Sequence, residues 1–236
     1  MGMFHLFFYL YQDRSFIKVK DAYALSLIDD NDMFEIAMNC GFKKPSFHDV
    51  NPKDWFCETV ERVNHLGLMY AMDNKTNSFK PENDISQGMV ATILYRMAKV
   101  PKVEFKPTFN DVTNSKLWYS DAIILASESG VVSGYQDGRF APDDNITRQD
   151  LAIMLRNYAK TNGINTKVNV DFNAFVDGEK IASYAQSAMA FCIDKQIISG
   201  SKKEDGVYLN PSDNATRAEC AKMFLQLNEL IALSNK

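Results

Sequence analysis

The chain has 236 residues, a formal net charge of −4 and a hydrophobic fraction of 46%. This fraction is sufficient for a folded core and argues against an intrinsically disordered protein. The slightly acidic balance excludes a broad basic surface of the kind that binds nucleic acid or an anionic membrane. An anionic ligand would therefore have to meet local Arg and Lys side chains.

Residues 1–44 resemble no later part of the chain. The apolar pattern within residues 21–40 predicts one or two short helices. The apolar stretch at residues 3–11 has no preceding Lys or Arg, so it makes a poor signal peptide, and it is too short to span a membrane. This segment could be the tail of a larger surface protein, an extra helix of the following unit or a misassigned start.

The cysteines and histidines suggest no metal site and no cofactor. Cys40, Cys57, Cys192 and Cys220 have no C-x-x-C spacing, and three of them fall in helical patterns, which favours buried free thiols. His5, His48 and His65 are scattered in the first third of the chain, so a histidine-based metal site has little support.

After residue 44 the sequence repeats itself three times. Each block begins with a Phe two residues before an Asp: Phe47, Phe109 and Phe175. An aromatic residue, a Gly or its substitute, a Pro and a Ser or Thr then follow in the same order. Landmarks kept in one order indicate three internal repeats, at residues 45–105, 106–170 and 171–236.

Each repeat is predicted to form a helix, a long loop and a second helix. The first helices are expected at residues 54–66, 118–129 and 184–195, and the second helices should end near residues 99, 160 and 233. The Asp-Gly pairs at 137–138 and 205–206 indicate turns, with a small hairpin possible in the loop. The linkers are too short for independent domains, so the three repeats should share one core.

The start of each second helix carries the most informative residues. Thr147 and Thr216 are each followed three residues later by an acid, Asp150 or Glu219, which is typical of a capping box. Arg148 and Arg217 occupy the first helical position, where the helix dipole disfavours a cation. A repeated unfavourable choice suggests a second role. One hypothesis is that each Arg and the helix N–H groups bind a carboxylate or phosphate; the alternative is that each Arg pairs with a nearby loop Asp.

The ordered motifs between Phe109 and Arg148 resemble the S-layer homology repeat. They are Phe-x-Asp-Val, Trp-Tyr-x-x-Ala-Ile, Gly-Val-Val-x-Gly-Tyr-x-Asp-Gly-x-Phe-x-Pro and Ile-Thr-Arg. The third block matches with Phe175-x-Asp, Ile197-Ile198-x-Gly200, Asp205-Gly206, Asn210-Pro211 and Thr216-Arg217-Ala218-Glu219. The resemblance covers most of the chain after residue 44.

The resemblance implies a mainly α fold, in which three helix-loop-helix repeats form a pseudo-threefold unit with a shared helical core and three prongs. It implies a non-catalytic module at the bacterial cell surface that binds secondary cell-wall polysaccharide, often pyruvylated, in grooves between neighbouring repeats. A pyruvate ketal carries a carboxylate, which an Arg can bind in a fork. The candidate ligand-binding residues are Arg148, Arg217, Thr147, Thr216, Asp150, Glu219, Trp118, Tyr119, Gly134, Tyr135 and Gly200.

Several of these residues also have a purely structural interpretation. Trp118, like Trp55 and Tyr184, is interpreted first as a core anchor at a helix start, with sugar stacking left open for Trp118. Tyr119 and Tyr135 are candidates for polar contacts if exposed. Gly134 and Gly200 are first of all positions of backbone freedom. The repeated acids Asp49, Asp111 and Asp177 are interpreted as caps or turn stabilisers.

The first repeat departs from the pattern. Its second helix begins Ser86-Gln87-Gly88-Met89, without the Arg and the acid, and Ala71 replaces the glycine. We therefore expect its groove to be weak, which leaves two sites.

An enzyme is disfavoured because the adjacent Asp143 and Asp144 suit no two-carboxylate mechanism and no His lies beyond residue 65. A scaffold that binds a protein partner is the other alternative, and a large exposed apolar patch would favour it.

Overall fold

The computed structural model describes residues 45–234, so the predicted short helices before residue 41, together with His5 and Cys40, lie outside it. The described part is mainly helical, as predicted. Its α-helices are α1 (Cys57–His65), α2 (Gln87–Met97), α3 (Ser120–Glu128), α4 (Arg148–Thr161), α5 (Gln186–Asp194) and α6 (Arg217–Ser234). Short 3-10 turns at Phe172–Ala174 and Gly178–Lys180 precede α5.

Each repeat supplies two helices joined by a long loop. In the third repeat this loop contains the predicted hairpin, in which β1 (Ser201–Lys203) pairs antiparallel with β2 (Gly206–Tyr208). In the second repeat the corresponding loop forms only a turn, closed by the Tyr135 N–H donating to the Arg139 carbonyl at 2.8 Å. In the first repeat the corresponding loop has a single antiparallel bridge between Asp73 and Ser78, so among the described residues the two-stranded hairpin occurs in the third repeat alone.

The first helix of each repeat begins two or three residues later than predicted. The N-cap residues are Phe56, Tyr119 and Ala185, and none of them caps the helix through its side chain. The residues before them form tight turns: the Cys57 N–H donates to the Asp54 carbonyl at 3.1 Å. A tight turn and the first turn of a helix form similar local hydrogen bonds. The predicted helix starts therefore fall in the turns that precede the helices.

The helices pack in a cyclic order. Helix α2 of the first repeat packs on α3 of the second, α4 of the second packs on α5 of the third, and α6 of the third returns to pack on α1 of the first. Each prong of the molecule is thus built from the second helix of one repeat and the first helix of the next. This arrangement gives the expected approximate threefold unit.

A ring of backbone hydrogen bonds closes the centre of this unit. The N–H of Ile85 donates to the carbonyl of Ala215 at 3.1 Å, Ala215 donates to Ile146 at 3.0 Å, and Ile146 donates back to Ile85 at 3.1 Å. These three residues immediately precede the capping residues, and all are buried. The starts of α2, α4 and α6 are therefore held together at the axis.

The repeated acids stabilise the loops, not the helix starts. The carboxylate of Asp177 accepts from the N–H groups of Leu209 and Asn210 at 2.7 and 2.8 Å. Asp49 and Asp111 bind the equivalent N–H pairs, at residues 79–80 and 140–141, with distances of 2.7 to 2.9 Å. The interpretation as helix caps is wrong, because each acid instead fixes a loop about 30 residues later in its own repeat.

One hydrophobic core runs through all three repeats, as the short linkers predicted. Cys192 and Cys220 are buried free thiols within it, in agreement with the sequence. Cys57 is disulfide-bonded, so the prediction of a free thiol is wrong for this residue. Within residues 45–234, none of the helices has the length and apolar character needed to cross a membrane.

Candidate functional site

The second helices begin with the expected side-chain caps. In α6 the capping box is reciprocal: the Glu219 N–H donates to Thr216 Oγ1 at 3.3 Å, and the Thr216 N–H donates to Glu219 Oε2 at 3.0 Å. In α4 the Asp150 N–H donates to Thr147 Oγ1 at 3.3 Å, and the Thr147 hydroxyl donates to the Asp150 carboxylate. Even in the first repeat Ser86 caps α2, as expected.

The N–H groups at the start of these helices are not available to a ligand. The N–H of Arg148 donates to the carbonyl of Asp213 at 2.9 Å, and the N–H of Arg217 donates to that of Asn83 at 2.9 Å. The N–H of the next residue in each helix donates to a proline carbonyl of the same neighbouring loop. The hypothesis of an anion bound by free helix N–H groups is therefore wrong: a neighbouring repeat caps each helix start.

The two arginine side chains also reach into neighbouring repeats. Arg148 donates from Nε to the Leu209 carbonyl at 2.9 Å and from Nη1 to Glu219 Oε1 at 2.7 Å. Arg217 donates from Nε to the Phe79 carbonyl at 2.7 Å and from Nη2 to the Tyr70 carbonyl at 2.9 Å. Within residues 45–234, neither Arg pairs with a loop Asp, so that alternative is wrong as well. Each Arg connects its own repeat to the next one in the ring.

This geometry regroups the candidate residues. Arg148 lies beside Thr216 and Glu219 of the third repeat, and it does not share a site with its sequence neighbours Thr147 and Asp150. The carboxylate of Asp150 instead accepts from the hydroxyl of Tyr184 at 3.0 Å. A functional site in this fold thus draws on residues that are far apart in the sequence.

A groove of about 410 Å³ lies where the third repeat meets the first, and we call it the Trp55 groove. Its polar and charged lining comes from all three repeats: Trp55 and Glu82 from the first, Arg148 from the second, and Ser199, Ser201, Thr216, Glu219 and Lys222 from the third. Gly200 and the side chains of Ile197, Ile198 and Met223 complete the lining.

The Trp55 groove combines an exposed ring with charged groups on one wall. The Trp55 side chain is 61% exposed, and Lys222 Nζ lies 6.0 Å from its ring centroid. Lys222 also donates to Ser199 Oγ at 3.3 Å. Arg148 is buried and Glu219 binds its guanidinium, so these two charges offset each other. An aromatic face beside a lysine is suited to binding the apolar face of a sugar that carries an acidic substituent.

The other two aromatic residues at this position are equally exposed, with fractions of 58% for Trp118 and 62% for Tyr184. The interpretation of these residues as core anchors is wrong. The anchor is the next residue in each repeat, Phe56, Tyr119 or Ala185, which is buried. Tyr119 is thereby removed from the ligand-contact candidates, and burial raises the pKa of its hydroxyl.

Positions equivalent to the Trp55 groove follow from the cyclic packing. By this equivalence we assign Tyr70, Ser86, Met89 and Arg217 to the region beside Trp118, which we call the Trp118 groove. We likewise assign Gln87, in place of the Arg, together with Thr147, Asp150, Gly134 and Tyr135, to the region beside Tyr184, which we call the Tyr184 groove. In it, Gln87 Nε2 donates to the hydroxyl of Tyr135, which is 50% exposed, at 2.8 Å.

The two glycines are required by the loops themselves. Gly134 and Gly200 have φ values of +68° and +71°. A Cβ on Gly134 would lie 2.3 Å from a ring carbon of Phe109, and a Cβ on Gly200 would lie 2.7 Å from Val207. The structural interpretation of these glycines is therefore correct, although Gly200 also lines the Trp55 groove.

Sequence reasoning missed Trp55, Glu82 and Lys222 as groove residues. The signal that could have found Trp55 is its equivalence to the candidate Trp118 at the same position of the repeat. In fact the arginine in the Trp55 groove comes from the second repeat and the acid from the third, so the departures of the first repeat do not affect this groove. Within the Trp55 groove, Arg148 and Glu219 form an ion pair across two repeats. The expectation of two binding sites stays a prediction.

Comparison with known proteins agrees with this geometry. The family model of the S-layer homology domain matches residues 46–88, 108–152 and 174–221. The Surface-layer 125 kDa protein of Lysinibacillus sphaericus is 27% identical over 76% of this chain and 14% of its own length.

Two other relatives extend the comparison. The amylopullulanase of Thermoanaerobacterium thermosulfurigenes is 26% identical over 78% of this chain and 10% of its own length. The Cellulosome-anchoring protein of Acetivibrio thermocellus is 35% identical over 31% of this chain and 17% of its own. The chain therefore spans only a small part of these relatives. Because the family model matches more than half of its residues in three tandem copies, the chain belongs to the S-layer homology domain family.

Proposed function

We propose that this chain anchors its protein to the bacterial cell wall by binding, without catalysis, an acidic secondary cell-wall polysaccharide in the Trp55 groove. Membership of the S-layer homology family and relatives that are surface-layer and cellulosome-anchoring proteins support the anchoring role. The arrangement of Trp55, Lys222, Arg148 and Glu219 supports the groove as the binding site.

The observation that carries the proposal is the exposed Trp55 ring facing a charged wall. Because the Trp55 side chain is 61% exposed, it contributes little of the apolar burial that the neighbouring Phe56 provides. A role outside the core explains this exposure best. Sugars present flat C–H faces that pack on such rings, while hydroxyl groups find acceptors at Glu82 and Ser199.

The ligand we propose is pyruvylated. Lys222 is a compact cation at the groove surface and can bind the carboxylate of a pyruvate ketal. Arg148 is already held by the Leu209 carbonyl and Glu219, so its main contribution is to orient Glu219 and to keep the groove wall rigid. A charge-assisted contact contributes about 1.5–3 kcal/mol, and a polymer gains further affinity by engaging several anchors at once.

The same geometry argues against a hydrolase. A two-carboxylate mechanism needs one carboxyl group to transfer a proton and a second to act as base or nucleophile. Of the two groove acids, Glu219 is committed: Oε1 accepts from Arg148, and Oε2 accepts from Thr216. The polar lining of the groove likewise suits a glycan better than the apolar surface of a protein partner.

The experiment is co-sedimentation of the purified chain with Gram-positive cell-wall sacculi, intact and after the acid treatment that removes secondary polymer. A third sample carries secondary polymer with its pyruvate ketals removed by mild hydrolysis. We expect binding to intact sacculi, much weaker binding after depyruvylation and none after stripping. Equal binding to stripped sacculi would contradict the proposed ligand.

A further inference from the structure

The prong formed by α1 and α6, which we call the closing prong, differs in charge from the other two prongs. In it, Nη2 of Arg62 donates to Oε1 of Glu229, and these residues belong to the first and third repeats. Arg62 lies five residues after the start of α1, and the same count from the starts of α3 and α5 reaches Leu125 and Phe191. A buried cation therefore occupies a position that is apolar in the other two prongs.

The acid is equally specific to the closing prong. Glu229 lies 12 residues after Arg217, the first residue of α6, and Lys160 lies 12 residues after Arg148, the first residue of α4. The same count from the start of α2 reaches Lys99. Both lysines are exposed, whereas Glu229 is partly buried. Each prong thus has its own combination at this place: Lys with Leu, Lys with Phe and, in the closing prong, Glu with Arg.

Stability alone explains the Arg62–Glu229 pair poorly. The Arg62 side chain is 6% exposed, so its guanidinium is largely removed from water. Within residues 45–234, Nε of Arg62 is buried and has no hydrogen-bond partner. A buried ion pair with an unsatisfied donor generally stabilises a fold no better than apolar residues of similar volume. Leu125 and Phe191 show that this fold accepts an apolar residue at the equivalent position.

The contacts near the axis do not distinguish one junction between repeats from another. The carbonyl of Phe79 accepts from Nε of Arg217, and the carbonyl of Leu209, at the equivalent place in the third repeat, accepts from Nε of Arg148. The ring of backbone hydrogen bonds likewise uses the equivalent residue of each repeat. These contacts therefore do not specify which second helix meets which first helix.

The charges of the closing prong supply this specificity. If α1 packed on α2 or α4, Arg62 would lie beside Lys99 or Lys160, and the like charges would repel each other. If α6 packed on α3 or α5, Glu229 would face an apolar side chain without a counter-ion. Among the helices described, the pairing of α1 with α6 alone places opposite charges together.

We propose that Arg62 and Glu229 determine helix pairing, so that the α1 surface accepts α6 and rejects the other second helices. A second copy of the chain presents the same α1 surface, so the pairing does not require both helices to belong to one chain. Within one chain the tether between the repeats favours closure of the ring. When closure is blocked, the partner that fits the α1 surface is α6 of a second copy, in an exchanged dimer. This inference does not depend on the wall ligand.

Charge reversal tests the pairing. Arg62→Glu and Glu229→Arg each place like charges in the closing prong, both within one chain and between two copies of the same variant. We expect each to lower the thermal midpoint by about 10 °C. The double variant Arg62→Glu/Glu229→Arg restores opposite charges and should return to within about 3 °C of the wild type. Lys106→Glu, which reverses a charge in an exposed ion pair, is the matched control and should leave the midpoint unchanged.

The decisive sample is an equal mixture of Arg62→Glu and Glu229→Arg, unfolded together in urea without reductant and then refolded. Exchange of α6 between the two different chains places opposite charges in both closing prongs, which neither variant achieves alone. We expect at least tenfold more dimer than either variant forms by itself, with one chain of each kind in every dimer. Light scattering after size exclusion measures the mass, and native mass spectrometry with one variant isotope-labelled gives the composition.

A third variant separates pairing from stability. Arg62→Leu/Glu229→Lys copies the combination of Leu125 and Lys99, so we expect a thermal midpoint within about 3 °C of the wild type. Refolding at high concentration should nevertheless give at least twice the wild-type fraction of oligomers, because α6 no longer distinguishes α1 from the other first helices.

Three results would overturn the inference: a mixture with no more dimer than its components, a double charge reversal no more stable than the single ones, or a wild-type oligomer fraction in Arg62→Leu/Glu229→Lys. None of these measurements uses sacculi. Their outcome is therefore independent of the wall-binding experiment, and either proposal can fail without the other.

Discussion

Nη1 of Arg148 lies 2.7 Å from Oε1 of Glu219, although the two residues belong to different repeats. This ion pair joins the first turns of α4 and α6, and it forms one wall of the Trp55 groove. Because the Arg side chain is 6% exposed and the Glu side chain 30%, the pair is part of the structure between repeats as well as of the groove.

Replacing Arg148 should therefore destabilise the fold. Arg148→Ala removes the side-chain donor to the Leu209 carbonyl and to Glu219 Oε1, and we expect a loss of about 2–4 kcal/mol in the free energy of unfolding. Urea denaturation followed by circular dichroism measures it. Lys222→Ala, in the same groove but more exposed, should change stability by less than about 0.5 kcal/mol. Equal losses for the two variants would refute this role for Arg148.

The neighbouring residues Trp55 and Phe56 should respond in opposite ways. Phe56 is 5% exposed, and Phe56→Ala should cost about 3–5 kcal/mol of stability through the cavity that it leaves. Trp55→Ala should have little effect on the denaturation midpoint because the ring is mainly in solvent. A large loss of stability in Trp55→Ala would mean that the ring is a core anchor after all.

The repeated acids should be essential to the loops. Asp177 is buried, and its carboxylate satisfies two backbone N–H groups, so Asp177→Ala should destabilise the chain by about 2–3 kcal/mol. Asp177→Asn, which keeps one acceptor oxygen, should recover part of this loss. Asp205→Ala in the exposed hairpin turn is the matched control, and thermal unfolding should separate it clearly from Asp177→Ala.

The thiols of Cys192 and Cys220 should be unreactive in the folded chain. Complete burial raises the pKa of both thiols far above its ordinary value, so almost no thiolate forms at pH 8. An aromatic disulfide reagent should label neither residue at pH 8 until urea unfolds the chain, and peptide mass mapping locates the label. Rapid labelling of either cysteine under native conditions would contradict this burial.

The repeats, the caps and the helical class could be predicted because they depend on local spacing. A Thr three residues before an acid forms a cap whatever lies around it, and both Thr147 and Thr216 do so. The shared core followed from linkers that are too short for separate domains.

The composition of the grooves could not be predicted because it depends on the order in which repeats meet. Arg148 and Asp150 are two residues apart in the sequence, yet they have different partners: Arg148 binds Leu209 and Glu219, whereas Asp150 accepts from Tyr184. A shift of one residue also decided which aromatic of the Trp118-Tyr119 pair is buried. Comparison with the equivalent pair Tyr184-Ala185 could have indicated which position is buried. In that pair the first residue stays aromatic, and only the second is replaced by a small residue.

The most direct test of the Trp55 groove compares three variants in sedimentation with intact sacculi: Trp55→Ala, Lys222→Glu and, as the matched control in another groove, Trp118→Ala. We predict that Trp55→Ala and Lys222→Glu lose at least tenfold in affinity, with unchanged thermal midpoints, and that Trp118→Ala loses clearly less. Wild-type binding by both Trp55→Ala and Lys222→Glu would contradict the assignment of the wall ligand to this groove.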